Sequence, residues 1–457
     1  MKGEMSQREK PLVLQGWLNA RPVFPISPFT FHVSPHPTEN RLKRRAFLAA
    51  SALFPLIASN TAYAQKKPVK KATTAKPAAK SNVKPGSKTP AKPTSTRKPA
   101  PKPVASNEAS APPVAEPRNV ISLPEEPPAR WRTFDIKSEI ELKRVRGKAR
   151  LWLPLAQYKD TLWERSLGHT WEGNFASAGI YRDPVGEMEV FYADWPEGIE
   201  TPRLQIVSQI ATQDRHFDIT RRGAIAERTE VLRRCLQPSL HVPIDGAVRQ
   251  NAERAIGRVK DPLAMSKAIY DWVVDNSEFD SNGKGVGRGD VAALLDAGRP
   301  FFGRSADISL LFVALCRSVG IPARPVFGLR MGTSRLFGSL GILGELNEAQ
   351  HCRAEFYIPG YSWIGVDPAD VRKAIAEENI SSADPKLPVF KKLLFGFWEM
   401  NWIGFNAAQD ITLRGASAAD TLPHLIYPTL ETTEGRFDSQ DSTRMNYSVT
   451  ATRTETP

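Results

Sequence analysis

The stretch FGRSADISLLFVALCRSVGIPAR, from Phe302 to Arg324, decides how the central part of this chain folds. Beginning at Ser305, apolar side chains recur at every third or fourth position, which places them on one face of a helix. The residues of this face are Ile308, Leu311, Phe312, Leu315 and Val319. Gly320 then ends the pattern, and Pro322 cannot continue a helix. We therefore expect a buried helix with Ser305 in its first turn.

Ser305 occupies a position where the backbone itself has chemical consequences. The start of a helix presents unpaired N–H groups and a partial positive charge. These features lower the pKa of a thiol and can stabilise an oxyanion. Serine is also one of the best helix N-caps. The position alone therefore allows two interpretations of Ser305, a plain capping residue or a site residue.

A second stretch, HCRAEFYIPGYSWIGVDPADV from His351 to Val371, predicts two antiparallel strands joined by a turn. Alternation gives the first strand an apolar face and a polar face. The apolar face consists of Cys352, Ala354, Phe356 and Ile358, and the polar face of His351, Arg353, Glu355 and Tyr357. The apolar faces of the two strands align only if the turn has an odd number of residues, and Pro359-Gly360-Tyr361 supplies three.

With this turn, Ile358 pairs with Ser362, and His351 becomes a diagonal neighbour of Asp367. An imidazole oriented by a carboxylate is the usual base for a nucleophile. The alternative is a surface histidine beside a strand salt bridge, formed by Arg353 with Asp367 or with Glu355.

Together the two stretches resemble the core of the transglutaminase-like family, whose fold is similar to that of papain-type thiol peptidases. The runs that carry the resemblance are Gly-Ile-Pro-Ala-Arg at 320–324 and His-Cys-Arg-Ala-Glu-Phe-Tyr at 351–357. The resemblance implies an α+β core, a helix packed on an antiparallel sheet. It places the catalytic positions at Ser305, His351 and Asp367, and implies attack on an amide carbonyl without a cofactor. The family's Gly-x-Cys-x-Asp reads GRSAD at 303–307, so serine stands where the family has its nucleophilic cysteine.

This exchange leaves the activity open between two classes of protein. A hydroxyl is far less acidic than a thiol, so His351 would have to remove its proton during attack. We therefore expect a degenerate module that binds peptide or cell-wall peptide without cleaving it. The alternative is an active Ser-His-Asp hydrolase or acyltransferase that acts on amide bonds. A structural protein without a functional cleft is a third possibility, which the retention of His351 and Asp367 disfavours.

The remaining residues that commonly bind metals or cofactors form no such motif. Cys235, Cys316 and Cys352 include no CxxC pair, and the seven histidines lack metal-ligand spacing. We expect Cys352 on the apolar strand face and Cys316 deep in the helix, too far along it to replace the missing thiol. No glycine-rich nucleotide-binding string is present. The sequence therefore predicts neither a metal site nor a cofactor.

The amino-terminal part has the features of a bacterial export signal. Lys43 to Leu48, KRRAFL, resembles a twin-arginine signal, and an apolar stretch from Ala46 to Ala58 follows it. Ala62-Tyr63-Ala64 is similar to a cleavage site. The apolar stretch is shorter than the roughly 20 residues of a membrane span. We expect residues 1–64 to direct export by the twin-arginine route to the periplasm or the exterior, and leave open where translation starts within residues 1–40.

Residues 65–118 form a Lys-, Pro- and Ala-rich segment that we expect to be a disordered linker. It is either a spacer or a contact with anionic cell-wall polymers or membrane surfaces. Of the net charge of +13, residues 1–65 carry +5 and residues 66–105 carry +12, which leaves −4 for residues 106–457. Nucleic-acid binding is therefore not expected of the folded part.

The folded part divides into three predicted regions. Residues 119–230 form a β-rich domain, because apolar residues alternate along two runs: Phe134, Ile136, Ile140 and Leu142, and Leu204, Ile206 and Ile210. Residues 231–375 form the transglutaminase-like core, in which Asp261-Pro262 marks a helix start. Residues 376–457 form a C-terminal β extension that we expect to pack on the core.

Overall fold

The computed structural model describes residues 131–157, 159–218, 223–224, 226–342, 344–417 and 421–454. The predicted signal region, 1–64, and the predicted linker, 65–118, lie outside these residues. No helix in the described part is both long and apolar enough to cross a membrane.

The described part of the chain contains seventeen strands, most of them antiparallel. In chain order they are β1 (Arg132–Leu142), β2 (Ala149–Pro154), β3 (Glu164–Gly173), β4 (Ser177–Asp183), β5 (Met188–Trp195), β6 (Arg203–Thr212), β7 (Arg215–His216), β8 (Ser277–Phe279), β9 (Phe301–Gly303), β10 (Ala323–Arg330), β11 (Gln350–Ile358), β12 (Ser362–Val366), β13 (Phe397–Trp398), β14 (Trp402–Asn406), β15 (Thr429–Thr432), β16 (Gly435–Asp438) and β17 (Met445–Thr454).

Seven α-helices and one 3-10 turn accompany these strands within the described residues. They are α1 (Thr229–Arg234), α2 (Ala247–Ile256), α3 (Pro262–Asn276), α4 (Val291–Asp296), α5 (Ser305–Ser318), α6 (Pro368–Glu377), α7 (Lys386–Leu393) and the 3-10 turn Gly338–Leu340.

A two-sheet sandwich is built from both ends of the described chain. One sheet has the strand order β17-β1-β6-β3 and the other β16-β15-β2-β5-β4. Alternation along β1 and β6 turns side chains such as Ile140 and Ile206 toward Leu151, Phe191 and Trp195 of the facing sheet. The alternating runs predicted for β1 and β6 are therefore confirmed as buried strand faces.

The core consists of an antiparallel sheet covered by helices. Its strand order is β12-β11-β10-β14, and α5 packs on β10 and β11 while α2, α3 and α6 pack on α5. The α+β class predicted from the sequence is confirmed. Helix α3 begins as predicted, because Asp261 caps it by accepting a hydrogen bond from the N–H of Ala264, and Pro262 is its first residue.

The C-terminal residues divide between the two parts of the molecule. β14 joins the core sheet beside β10, whereas β15 and β17 pair with β2 and β1 of the sandwich. The expectation that 376–457 packs on the core as one extension therefore needs correction. The cause is non-local pairing between strands, which alternation within a segment cannot reveal.

Candidate active site

Helix α5 begins with Ser305 as its first helical residue, and the structure assigns the N-cap to Arg304. The carboxylate of Asp307 accepts hydrogen bonds from the N–H of Arg304 and from the N–H of Gly289, each at 2.8 Å. The start of the helix is thus held by Asp307, and the interpretation of Ser305 as the capping residue is wrong. Gly320 follows the helix with φ of +84°, as expected for the residue that ends it.

The hydroxyl of Ser305 contacts the strand that carries His351. Its Oγ accepts a hydrogen bond from the N–H of Cys352 at 3.2 Å. Within the described residues this is the one hydrogen bond of the hydroxyl, and none joins it to His351. The helix start therefore lies against β11, beside His351.

The predicted hairpin has the register that its turn implied. Ile358 pairs with Ser362 and Ala354 with Val366, across the turn formed by residues 359–361. Asp367 lies one residue beyond β12, where it caps α6 by accepting a hydrogen bond from the N–H of Asp370. The Asp367 side chain is thereby fixed by a helix start as well as by the hairpin.

The structure brings His351 and Asp367 into direct contact. His351 Nε2 lies 2.8 Å from Asp367 Oδ2. All three predicted site residues are buried, with exposed fractions of 4% for Ser305, 3% for His351 and 1% for Asp367. Because Nε2 faces the carboxylate, Nδ1 is the ring nitrogen left to take a proton from a nucleophile.

Two arginines neutralise the carboxylates around His351. Arg353 Nε donates to Asp367 Oδ2 at 3.1 Å, and the Arg330 guanidinium forms two hydrogen bonds with Asp370. Asp370 Oδ1 is also 3.4 Å from His351 Nε2. The alternative of a strand salt bridge is therefore partly correct, since Arg353 does pair with Asp367. The pair is buried rather than on the surface, and Glu355 binds Arg215 and Arg324 instead.

This arrangement sets the protonation states of the site. Burial lowers the pKa of His351, and the charge of Arg330 lowers it further, against the opposing effect of Asp367. The pKa of Asp370 is held well below its usual range because the Arg330 guanidinium, aided by Arg353, outweighs the cost of burial. His351 is therefore neutral at pH 7, the form that can accept a proton.

His351, Asp367 and Asp370 also form a group of potential metal ligands. Their ligand atoms lie within 4.8 Å of one another. Arg330 and Arg353, however, already place two positive charges against these carboxylates. The residues present suit an ion-pair network better than a metal ion, which would have to displace both guanidinium groups.

The cysteines near Ser305 do not replace the family's thiol. Cys352 lies on the apolar face of β11, as expected, and its thiol donates to the Arg353 carbonyl oxygen. Burial raises the pKa of Cys352 and of Cys316 well above the ordinary thiol value. Both residues are also 0% exposed, so neither thiol is placed to meet a substrate.

Sequence reasoning missed Arg330 and Asp370 as parts of this site. A signal for Asp370 was present, because Asp367-Pro368 has the same helix-start pattern as Asp261-Pro262. A helix beginning there places Asp370 in the first turn beside Asp367. Arg330 comes from β10, and no local pattern connects that strand end with α6.

Comparison with known proteins identifies the superfamily of the domain that contains this site. Residues 249–368 match the family described as the transglutaminase-like superfamily. A proposed cysteine protease from Cytophaga hutchinsonii shares 15% identity at a TM-score of 0.46, over 72% of this chain and 93% of that chain. The periplasmic domain of TgpA from Pseudomonas aeruginosa shares 14% identity at a TM-score of 0.28, over 51% of this chain and 90% of that chain.

The protein therefore contains a transglutaminase-like domain. It is also 32% identical over 334 residues to an uncharacterised protein of Haemophilus influenzae, which covers 69% of this chain and 88% of that protein. Residues 249–368 are thus a transglutaminase-like superfamily domain, and the chain as a whole shares a family with the Haemophilus protein.

Proposed function

We propose that this protein is an exported transglutaminase-like module that binds peptide or cell-wall peptide and does not turn it over. The observation that carries the proposal is the bonding of Ser305. Its hydroxyl accepts a hydrogen bond from the N–H of Cys352, and no hydrogen bond within the described residues joins it to His351. A serine nucleophile needs its base within hydrogen-bond reach, directly or through one water.

The proposed binding role rests on what the site retains. Ser305, at the first helical position, has an N–H with no acceptor inside the helix, which can donate to a substrate carbonyl. His351 and Asp367 keep their polar contacts beside it. Export is part of the proposal because of the KRRAFL run at 43–48 and the Ala62-Tyr63-Ala64 site. In the same proposal the basic segment 65–118 contacts anionic cell-wall or membrane surfaces.

One observation favours a second candidate, an active Ser-His-Asp amide hydrolase or acyltransferase. The pKa of His351 is lowered by burial, and its Nε2 is held by Asp367. A neutral imidazole with Nδ1 available is the form that a serine nucleophile requires. This candidate needs a movement that brings the Ser305 hydroxyl within hydrogen-bond distance of Nδ1.

Replacing Ser305 by Cys tests the proposal. The readout is release of ammonia from a glutaminyl peptide supplied with an amine, together with the binding of the same peptide carrying a fluorescent label. We expect the natural protein to bind the peptide without releasing ammonia, and the Ser305→Cys variant to release it at a measurable rate, because a thiol needs less help from the base.

Ser305→Ala and His351→Ala are the controls. Ammonia release by the natural protein that both substitutions abolish would establish the serine enzyme instead. If neither the natural protein nor Ser305→Cys binds the peptide or releases ammonia, the proposed function is wrong.

A further inference from the structure

A cavity of about 430 Å³ lies at the end of α5 that is remote from Ser305. It is lined by the segment that follows α1, by the last turn of α5 and by residues 407–412. Arg317, in that last turn, is twelve residues beyond Ser305, or about 18 Å along the helix axis. The cavity is therefore a separate feature from the candidate active site.

Arg317 places a buried positive charge in the lining of this cavity. The side chain is only 7% exposed, and it donates to three neutral acceptors. These are the carbonyl oxygens of Ala323 at 2.8 Å and Gln237 at 3.0 Å, and Gln409 Oε1 at 2.8 Å. No carboxylate of the described chain lies within 4.0 Å of its nitrogens. Burial lowers the pKa of Arg317 to about 10, although Cys235 and Asp410 act in the opposite direction.

The charge of Asp410, in the same lining, acts on Arg317 from beyond ion-pair distance. A buried guanidinium whose direct contacts are all neutral is costly, because neutral dipoles compensate only part of its charge. Arg317 has five N–H donors and uses three of them, which leaves one on each terminal nitrogen. Two such donors match the two oxygens of a carboxylate. Arg317 thus lines the cavity with two N–H donors that no described acceptor uses.

The other charged groups of the lining are of both signs. Arg234 is exposed and forms no ion pair with any described residue, while the charge of Arg324 is already taken by Glu187 and Glu355. Asp183 and Asp410 also line the cavity. One oxygen of each accepts a backbone N–H, from Val185 and from Leu240 respectively. The positive groups without ion-pair partners are therefore Arg234 and Arg317.

We propose that this cavity binds a carboxylate-bearing ligand, with Arg317 as the buried partner of the carboxylate and Arg234 at the rim. The proposal does not depend on the chemistry of Ser305. Phosphate offers a related oxyanion, and the experiment below separates the two.

Cys235 supplies a reporter inside the cavity. It lines the cavity and is 5% exposed, whereas Cys316 and Cys352 are 0% exposed. Mass spectrometry can follow the modification of Cys235 by two methanethiosulfonates of similar size, an anionic sulfonatoethyl reagent and a cationic trimethylammonium-ethyl reagent. Each rate is divided by the rate of the same reagent with free cysteine.

At low salt we expect the anionic reagent to be favoured by about tenfold, because it can pair with Arg317 and Arg234, whereas Asp183 and Asp410 each already accept a backbone N–H. Acetate should slow the modification of Cys235 in a saturable manner, and phosphate at equal ionic strength should not. Arg317→Gln and Arg234→Ala should each reduce both the preference for the anionic reagent and the protection of Cys235 by acetate. Arg234 is exposed, so its variant remains informative if Arg317→Gln does not fold.

Arg233→Ala is the matched control, because Arg233 is exposed on the same short helix and does not line the cavity. It should leave both the preference and the protection unchanged. Equal normalised rates for the two reagents, or an acetate effect that Arg234→Ala leaves intact, would overturn the proposal. Protection by phosphate but not by acetate would overturn its assignment to a carboxylate.

Discussion

The charges around His351 are the most informative feature at the scale of single residues. Two arginines and two aspartates enclose the ring, and burial keeps the imidazole neutral. A thiol enzyme of this family type depends on a thiolate beside an imidazolium. A neutral His351 is better suited to removing a proton than to stabilising a thiolate. The environment of His351 is therefore the feature that favours the second candidate, the active serine enzyme, over a module without turnover.

Glu164 provides a prediction at the same scale. Burial raises the pKa of this carboxyl from 4.5 to about 7, although the N–H of Gly404 donates to it and Arg215 and Arg353 oppose the shift. The folded state therefore binds the proton more tightly than the unfolded state, and stability is lost as pH rises from about 4.5 through 7. Glu164→Gln keeps an acceptor for Gly404 and removes the charge.

We expect Glu164→Gln to increase the free energy of unfolding at pH 8 by up to about 3 kcal/mol, and to change it little at pH 5. Urea unfolding at the two pH values measures the difference. Glu200→Gln, at an exposed glutamate, should have no effect at either pH. An equal gain at both pH values would show that the charge of Glu164 is not the cause.

At the scale of elements, the hairpin and α5 could be predicted from the sequence because each is specified locally. The three-residue turn at 359–361 fixed the register, and apolar spacing indicated the helix α5. The spacing predicted one buried face, whereas α5 is buried on nearly all sides. The cap of α5 could not be predicted in this way. Asp307, which forms this cap, also accepts a hydrogen bond from the N–H of Gly289, fifteen residues upstream of Arg304. That hydrogen bond exists only once the loop has folded over the helix start.

Asp307 and Asp261 both cap helices, but replacing them by alanine should reduce the free energy of unfolding by different amounts. Asp307→Ala would leave the N–H groups of Arg304 and Gly289 without their acceptor in a largely buried setting, whereas Asp261→Ala would free only the N–H of Ala264 at the surface. We expect the free energy of unfolding to fall by about 3 kcal/mol for Asp307→Ala and by about 1 kcal/mol for Asp261→Ala. Chemical denaturation of the two variants side by side measures both. Equal losses would contradict the view that Asp307 also ties the loop to the helix.

At the scale of the whole molecule, the sandwich is the part that local patterns could not predict. Alternation in β1 and β6 indicates strands, but it does not say which strands are neighbours. β17 pairs with β1 along ten residues, from Thr133 with Thr454 to Leu142 with Met445. Segments that are remote in sequence therefore share one sheet, and a division of the chain by sequence position separated them.

Removal of β17 tests this pairing. A chain ending at Asp441 would leave the edge of β1 without its partner, and the sandwich would lose the buried side chains of Met445 and Val449. We expect such a chain to lose cooperative thermal unfolding and to aggregate, as measured by calorimetry and light scattering. A chain ending at Thr454 keeps all of β17 and should behave as the full chain does. Cooperative unfolding of the shorter chain at an unchanged melting temperature would contradict the role assigned to β17.

The pairing of β1 with β17 also has a consequence for the timing of biosynthesis. Glu141 and Asn446 are opposite each other in the sheet and 305 positions apart in the chain. At a synthesis rate of 5–20 residues per second, β1 leaves the ribosome roughly 15–60 s before its partner exists. Until β17 has been synthesised, β1 has β6 on one side and an open edge on the other. The nascent chain therefore has an interval in which chaperone binding at that edge can prevent association with other chains.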